Sequence, residues 1–255
     1  MSAPRYLTRA RLRRDVPAET LRAMLEPGGE SRRAATGHGL VWALFDDSPE
    51  RTRDFLWREA DPGVFYLLSA RPPVDRRGLF RVDEPKPFAP ALAVGDRLAF
   101  ALRVNATVAR PAGPGARGNP CDVVMNALRD VPPDERARVR RAVLPRVAHD
   151  WLARQGERGG FALPDVGTEA SGGGESDDGP DDWSAPAGVR ALGYRTLRVD
   201  RGRRTEPMCV GVLDLEGMLE VRDPARFVEA LGRGFGRAKA FGCGLMLVRR
   251  ASAGW

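Results

Sequence analysis

The chain is predicted to be an α+β protein of two similarly built halves, and three observations lead to that reading. Strand-like segments alternate with helical ones in both halves. A turn-rich connector, Arg110-Pro-Ala-Gly-Pro-Gly-Ala-Arg-Gly-Asn-Pro120, falls near the middle. No apolar run approaches the roughly 20 residues of a membrane span, and 255 residues are enough for folded cores.

In the first half, residues 1–110, Tyr6, Thr8, Ala10 and Leu12 alternate with Leu7, Arg9, Arg11 and Arg13. That alternation is a strand with arginines along one face. Ala18 to Glu26 reads as helix, Pro27-Gly-Gly29 breaks it, and Ser31 to Phe45 resumes it. Gly63 to Ser69 is a buried strand and Leu79 to Val82 a short one. Arg97 to Asn105 is the clearest strand, with Leu98, Phe100, Leu102 and Val104 on one face. The order β-α-β-β-(short helix or loop)-β fits a ferredoxin-like fold.

In the second half, residues 121–255, Pro133 to Gln155 is helical and is expected to be interrupted or kinked at Pro145. Strands are expected at Arg190–Val199, at Met208–Leu215 and, after a Glu216-Gly217 turn, at Leu219–Val221. Asp223-Pro224 pairs an N-cap with a first-turn proline and opens a helix to about Leu231. Leu245–Arg249 is the last strand. This is a second alternation of ferredoxin-like size.

Lys+Arg total 41 and Asp+Glu 34, a formal charge of +7. Only Lys86 and Lys239 are lysines, so 39 of the cations are arginines. Heavy Arg, Ala, Gly and Pro use also follows from GC-rich coding, but arginine is the residue best suited to forked phosphate contacts. Between Gly159 and Gly188 lie seven acids and no cation, so the rest of the chain carries a net +14. Residues 165–188 are too polar to bury a core and are expected to form a disordered acidic loop. Cys121, Cys209 and Cys243 are odd in number and lack Cys-x-x-Cys spacing, which argues against disulfides and a cysteine zinc site. The Arg-rich start has no signal-peptide core, so a soluble cytoplasmic protein is expected.

Two histidines are present. His149, in Val147-Ala-His-Asp-Trp151, reads as structural or solvated. His38 stands between Gly37 and Gly39 ahead of an apolar helical run, where an imidazole is unobstructed. The most informative segment is Gly232-Arg-Gly-Phe-Gly-Arg-Ala-Lys-Ala-Phe-Gly-Cys-Gly244. It follows a helix and precedes a strand, the reverse of a dinucleotide fingerprint, and Lys239 lacks the Ser or Thr of a Walker loop. A glycine run carrying Arg233, Arg237 and Lys239 can lay backbone N–H groups and cations against phosphates.

Four pieces resemble one family, the CasE endoribonucleases that process CRISPR RNA in type I-E Cascade. They are Tyr6-Leu7-Thr8; His38-Gly-Leu-Val-Trp-Ala-Leu-Phe45 with Arg53-Asp-Phe-Leu56; Pro85-Lys-Pro-Phe-Ala-Pro-Ala-Leu92 with Leu102-Arg-Val-Asn105; and Gly234 to Leu245. The resemblance implies two tandem ferredoxin-like (RRM-like) folds binding a repeat hairpin of precursor CRISPR RNA. It implies metal-independent cleavage at the 3′ base of the stem by 2′-hydroxyl attack, leaving a 2′,3′-cyclic phosphate. The mature guide would be kept for assembly with other Cascade subunits, and no cofactor or metal is implied. His38 matches the family's acid/base. An assisting tyrosine three residues earlier is Ala35 here, and a lysine some members carry five residues after the histidine is Ala43. Arg32, Arg33 or a residue of the glycine loop is left to supply charge stabilisation. RNA contacts are expected from Arg195, Arg198, Arg201, Arg203 and Arg204 in a basic hairpin, and from Arg233, Gly234, Gly236, Arg237, Lys239, Gly242 and Gly244. The alternative is a non-catalytic subunit that binds the RNA hairpin.

Overall fold

Antiparallel pairing organises the chain into two main sheets. The computed structural model describes residues 4–15, 37–45, 52–110, 118–164, 188–199 and 208–251. The first sheet contains β1 (Tyr6–Leu12), β2 (Phe55–Asp61), β3 (Val64–Ser69) and β4 (Phe80–Val82) in the order β2-β3-β1-β4, with β5 (Lys86–Pro87) also on β1. The second contains β6 (Arg97–Val104), β9 (Phe161–Ala162), β10 (Val189–Val199), β11 (Met208–Val221) and β12 (Met246–Arg250). Its order is β10-β11-β6-β12, with β9 on β11. A separate ladder joins β7 (Thr107–Arg110) and β8 (Asn119–Asp122). The helices are α1 (residues 37–43), α2 (Val123–Ala127), α3 (Arg136–Gly159) and α4 (Pro224–Arg233). Numbered within its own half, each main sheet runs second-third-first-fourth strand, the order of a ferredoxin-like fold, so the tandem α+β architecture stands.

The expected division of strands does not. β6, assigned from sequence to the first half, is a central strand of the second sheet, paired with β11 from Arg97↔Glu220 to Val104↔Leu213 and with β12. The first sheet's missing strand is β2, which sequence periodicity does not reveal. Phe55, Leu56 and Trp57 are all buried because this sheet is covered on both faces, and a doubly buried strand has no two-residue alternation. The connector at 110–120 therefore joins β7 to β8 rather than separating the two sheets; its residues 111–117 lie outside the described ones.

Two breaks expected in the second half are also absent. α3 runs through Pro145 without interruption. Pro145 is on the exposed side of the helix, where water can satisfy the carbonyl its ring leaves unpaired. β11 runs through Glu216-Gly217 as one strand, with Gly217 opposite both Val189 and Phe100. The Asp223 N-cap is as expected, its Oδ1 accepting from the Arg226 N–H at 3.0 Å. The acidic segment 165–188, apart from Gly188, and the helix expected at 18–26 lie outside the described residues.

Each sheet buries its own core. β6 and β11 pack Phe100, Leu102, Leu213 and Leu215 with Trp151 and Leu152 of α3 and Phe227 and Leu231 of α4. One face of the first sheet packs Phe55, Trp57 and Phe65 with Val41, Leu44 and Phe45 beside α1. Its other face meets the second sheet, where Leu56 and Leu68 pack against Leu245. Phe88 touches both this junction and the second core. Beside the apolar contact is an ionic one: Arg103 Nε reaches Asp214 Oδ1 at 2.8 Å, and Arg195 holds the other carboxylate oxygen. Arg58 of β2 lies close enough for its charge to interact with this pair, and its buried Nε and Nη1 have no hydrogen-bond partner among the described residues. Burial and the neighbouring Arg103 lower its pKa.

Asp214 is the carboxylate around which these arginines gather. Burial opposes its ionisation, but Arg103 and Arg195 hold its pKa below the ordinary 3.8. A depressed folded pKa gives stability that is complete above the unfolded value and is lost as pH falls through the folded one. Asp214→Ala should cost about 3 kcal/mol in denaturant unfolding at neutral pH. The deficit should hold down to about pH 4 and close in stronger acid.

Candidate functional site

α1 places His38 against the glycine-rich loop of the other half. The imidazole is half-buried, and Trp42, one helical turn later, donates its indole N–H to His38 Nε2 at 3.0 Å. The Phe241 ring lies 6.4 Å from the imidazole, centroid to centroid. Burial lowers the His38 pKa below 6.5 and the Arg53 cation adds to this, against the Ala240 carbonyl, which favours a proton. Nδ1 is buried with no hydrogen-bond partner among the described residues.

The loop after α4 is buttoned to the end of β6. Phe235 N–H donates to Gly244 O at 3.0 Å, Arg237 N–H to Asn105 O at 3.1 Å and Gly244 N–H to Arg103 O at 2.7 Å. Gly234 N–H donates to Ala230 O at 2.9 Å. Gly234 and Gly244 therefore use their N–H groups inside the protein, and the phosphate contact expected from those two donors is not open to them. Gly236 and Gly242 both have positive φ, +66° and +74°. Ala238 also has positive φ, at 53°, and leads into a 3-10 turn, Lys239–Phe241, that presents Lys239.

Trp57, 2% exposed, lies between these two elements. A Cβ placed on Gly37 would come 2.8 Å from Trp57 Cη2, and one on Gly242 would come 3.1 Å from the same atom. The two glycines let the helix carrying His38 and the loop carrying Lys239 close onto one indole ring.

Cations gather where they meet. Arg53, Arg233 and Arg237 are exposed and Lys239 is half-buried. Burial, Arg53 and Arg233 together lower the Lys239 pKa, and burial lowers that of Arg53. Among the described residues no carboxylate forms an ion pair with Arg53, Lys239 or Arg233. The arrangement combines a proton-accepting imidazole with uncompensated positive charge, which suits proton transfer beside a phosphate.

Other expected residues fall elsewhere. Arg195 is turned to Asp214 and is not poised to span phosphates. Arg198, three residues further along β10, is exposed. Arg32, Arg33, Arg201, Arg203 and Arg204 lie outside the described residues. His149, on α3, has Nδ1 3.6 Å from the Asp150 carboxylate. Among the described residues no three His, Cys, Asp or Glu side chains converge as metal ligands, and no helix is long and apolar enough to cross a membrane. The three thiols are free, and burial pushes that of Cys243 up to about 12. Sequence reasoning missed Arg53 and Trp42; the four-residue spacing from His38 to Trp42 was the available signal.

Gly242→Ala would force a Cβ onto Trp57 at a positive φ. It should cost about 1–2 kcal/mol from the backbone alone, measured by urea unfolding, with further loss wherever the loop retreats from Trp57.

The sequence matches the family described as CRISPR associated protein over residues 5–250. The CRISPR-associated endoribonuclease Cse3 of Thermus thermophilus is 35% identical over 175 residues, 67% of this chain and 64% of that protein. The solved structure of Thermus thermophilus Cse3 bound to an RNA representing a pre-cleavage complex is 28% identical with a TM-score of 0.58, covering 96% of this chain and 99% of that one. Cas6e from Escherichia coli, 19% identical with a TM-score of 0.53 over 96% of this chain and 100% of that one, shares the fold. Matched along nearly all its length and built on the same two-sheet fold, the chain belongs to the CRISPR-associated proteins of the CasE (Cse3) type.

Proposed function

We propose that the chain is a metal-independent endoribonuclease that cleaves the repeat hairpin of precursor CRISPR RNA. The observation supporting this reading is the meeting of His38 with the cations Arg53, Lys239 and Arg233, which have no carboxylate partner among the described residues. His38 takes the proton of the 2′-hydroxyl beside the scissile phosphate. The 2′-oxygen forms a bond to phosphorus, the bond from phosphorus to the 5′-oxygen breaks, and that oxygen takes a proton from solvent, to which His38 later returns the one it accepted. The products are a 2′,3′-cyclic phosphate and a 5′-hydroxyl. Positive charge stabilises the dianionic phosphorane. Arg53 and Lys239 take the place of the family's lysine, which is Ala43 here, and Arg32 and Arg33 remain candidates for the same task. Arg198, Arg201, Arg203 and Arg204 grip the stem, while Arg233 and Arg237 meet the backbone near the cut. The guide stays bound and enters Cascade with the other subunits in the cytoplasm. The name of the Thermus relative, an endoribonuclease, and its RNA-bound structure support the same reading.

A second reading, a hairpin-binding subunit without catalysis, is favoured by the absence of the family's tyrosine and lysine at Ala35 and Ala43. His38→Ala separates the two. It should slow cleavage by about 10² to 10⁴ while leaving hairpin affinity nearly unchanged, because phosphate contacts dominate binding. A 2′-deoxy nucleotide at the cut should block the wild type and EDTA should not. Full activity of His38→Ala would leave the binding subunit as the better account.

The hairpin arginines give a separate test. Replacing Arg201, Arg203 and Arg204 with alanine should lower the salt slope of binding by roughly 0.7 to 0.9 per lost phosphate contact. An unchanged slope would remove them from the interface.

A further inference from the structure

Trp42 has no role in the reaction proposed above, yet its one polar atom is spent on His38. An indole N–H can only donate, and it does so to His38 Nε2 at 3.0 Å. A nitrogen that accepts must hold its lone pair, so the neutral imidazole carries its proton on Nδ1. A proton on Nε2 would set N–H against N–H. Trp42 is itself held in place, meeting Phe55 edge-on with centroids 5.2 Å apart and an interplanar angle of 77°. On the loop packed against the imidazole, Phe241 braces the ring, and Nδ1 itself is buried with no hydrogen-bond partner among the described residues.

We propose that Trp42 is a positioning residue for His38: its indole N–H selects the Nδ1–H tautomer and keeps Nε2 as the accepting nitrogen, which the RNA 2′-hydroxyl takes over on binding. The proposal rests on the reading of His38 as the base. In the exchange the indole N–H leaves the lone pair, the 2′-hydroxyl donates to it, and its proton passes to Nε2 while Nδ1 keeps its own. The groups facing the ring agree with this assignment. Arg53 approaches from the segment before β2, and Lys239 precedes Ala240 in the loop. The Arg53 cation disfavours an imidazolium, and among the described residues no carboxylate is found acting on the ring. Hydrogen bonding to the neutral form adds to the same effect.

The test uses ¹⁵N-histidine NMR and cleavage kinetics on the full chain. His38 and His149 are its only histidines, and His149→Ala assigns the signals. Trp42→Phe keeps an aromatic ring but removes the donor. Benzothienylalanine at position 42 keeps the bicyclic shape and replaces N–H with sulfur, so a packing defect in the first variant cannot mimic the result. The wild type should show His38 protonated on Nδ1, with the acid limb of the cleavage rate below pH 6.5. In both variants the tautomer balance should move toward Nε2–H and the acid limb should rise in pH. Cleavage should slow by about ten- to a hundredfold from lost orientation, with unchanged hairpin affinity. Unchanged His38 shifts and titration in both variants would overturn the proposal. Altered shifts together with full activity of His38→Ala would instead overturn the catalytic reading and leave the tautomer assignment standing.

Discussion

The thickness of one indole ring sets the geometry of the site. Trp57 projects from β2 between Gly37 and Gly242, and neither position has room for a Cβ. Its other neighbour is Phe65, 5.9 Å away in the same core. The strand that carries Trp57 is covered on both faces, by α1 on one and by the second sheet through Leu56 on the other. Trp57 therefore cannot move without disturbing both halves. Because packed interiors resist small displacements, close packing around Trp57 fixes the distance from His38 to the glycine loop.

Charge is divided with equal economy. Many arginines are paired within the protein: Arg103 and Arg195 share Asp214, Arg9 and Arg11 share Asp83, and Arg190 meets Glu216 and Arg71 meets Asp54. Among the described residues Arg53, Lys239 and Arg233 have no such carboxylate. The basic excess of the composition is thus a poor map of where a polyanion would bind, since a paired arginine offers little net attraction. These cations lie where the helix of His38 meets the glycine loop; Arg53 adds to the effect of burial in lowering the pKa of that imidazole, and all three are available to a phosphate.

The glycine loop shows how a motif can be found correctly and explained incompletely. Its glycines suggested a cradle of N–H groups for phosphate. Instead, Gly234 packs against Leu56 and Gly242 against Trp57, while the N–H groups of Gly234 and Gly244 bond to Ala230 and Arg103. The glycines serve mainly to let the loop lie flat between two halves. Lys239, carried at the strained turn after Ala238, is what the loop presents.

The amino-acid sequence alone determined the fold class, most of the strands and the capped start of α4, and it singled out His38 and the glycine loop as candidate site segments. These features are local: alternation, an Asp-Pro start and glycine spacing are written in neighbouring residues. Tertiary structure decided which sheet owns β6, because strand pairing joins Leu102 to Leu215 and Met246 far along the chain. It also revealed β2, whose burial on both faces erases alternation. Only the folded chain turned Arg195 inward to Asp214, brought Arg53 beside His38 and laid Trp57 between two glycines, since each contact joins residues whose separation in sequence carries no periodic signal.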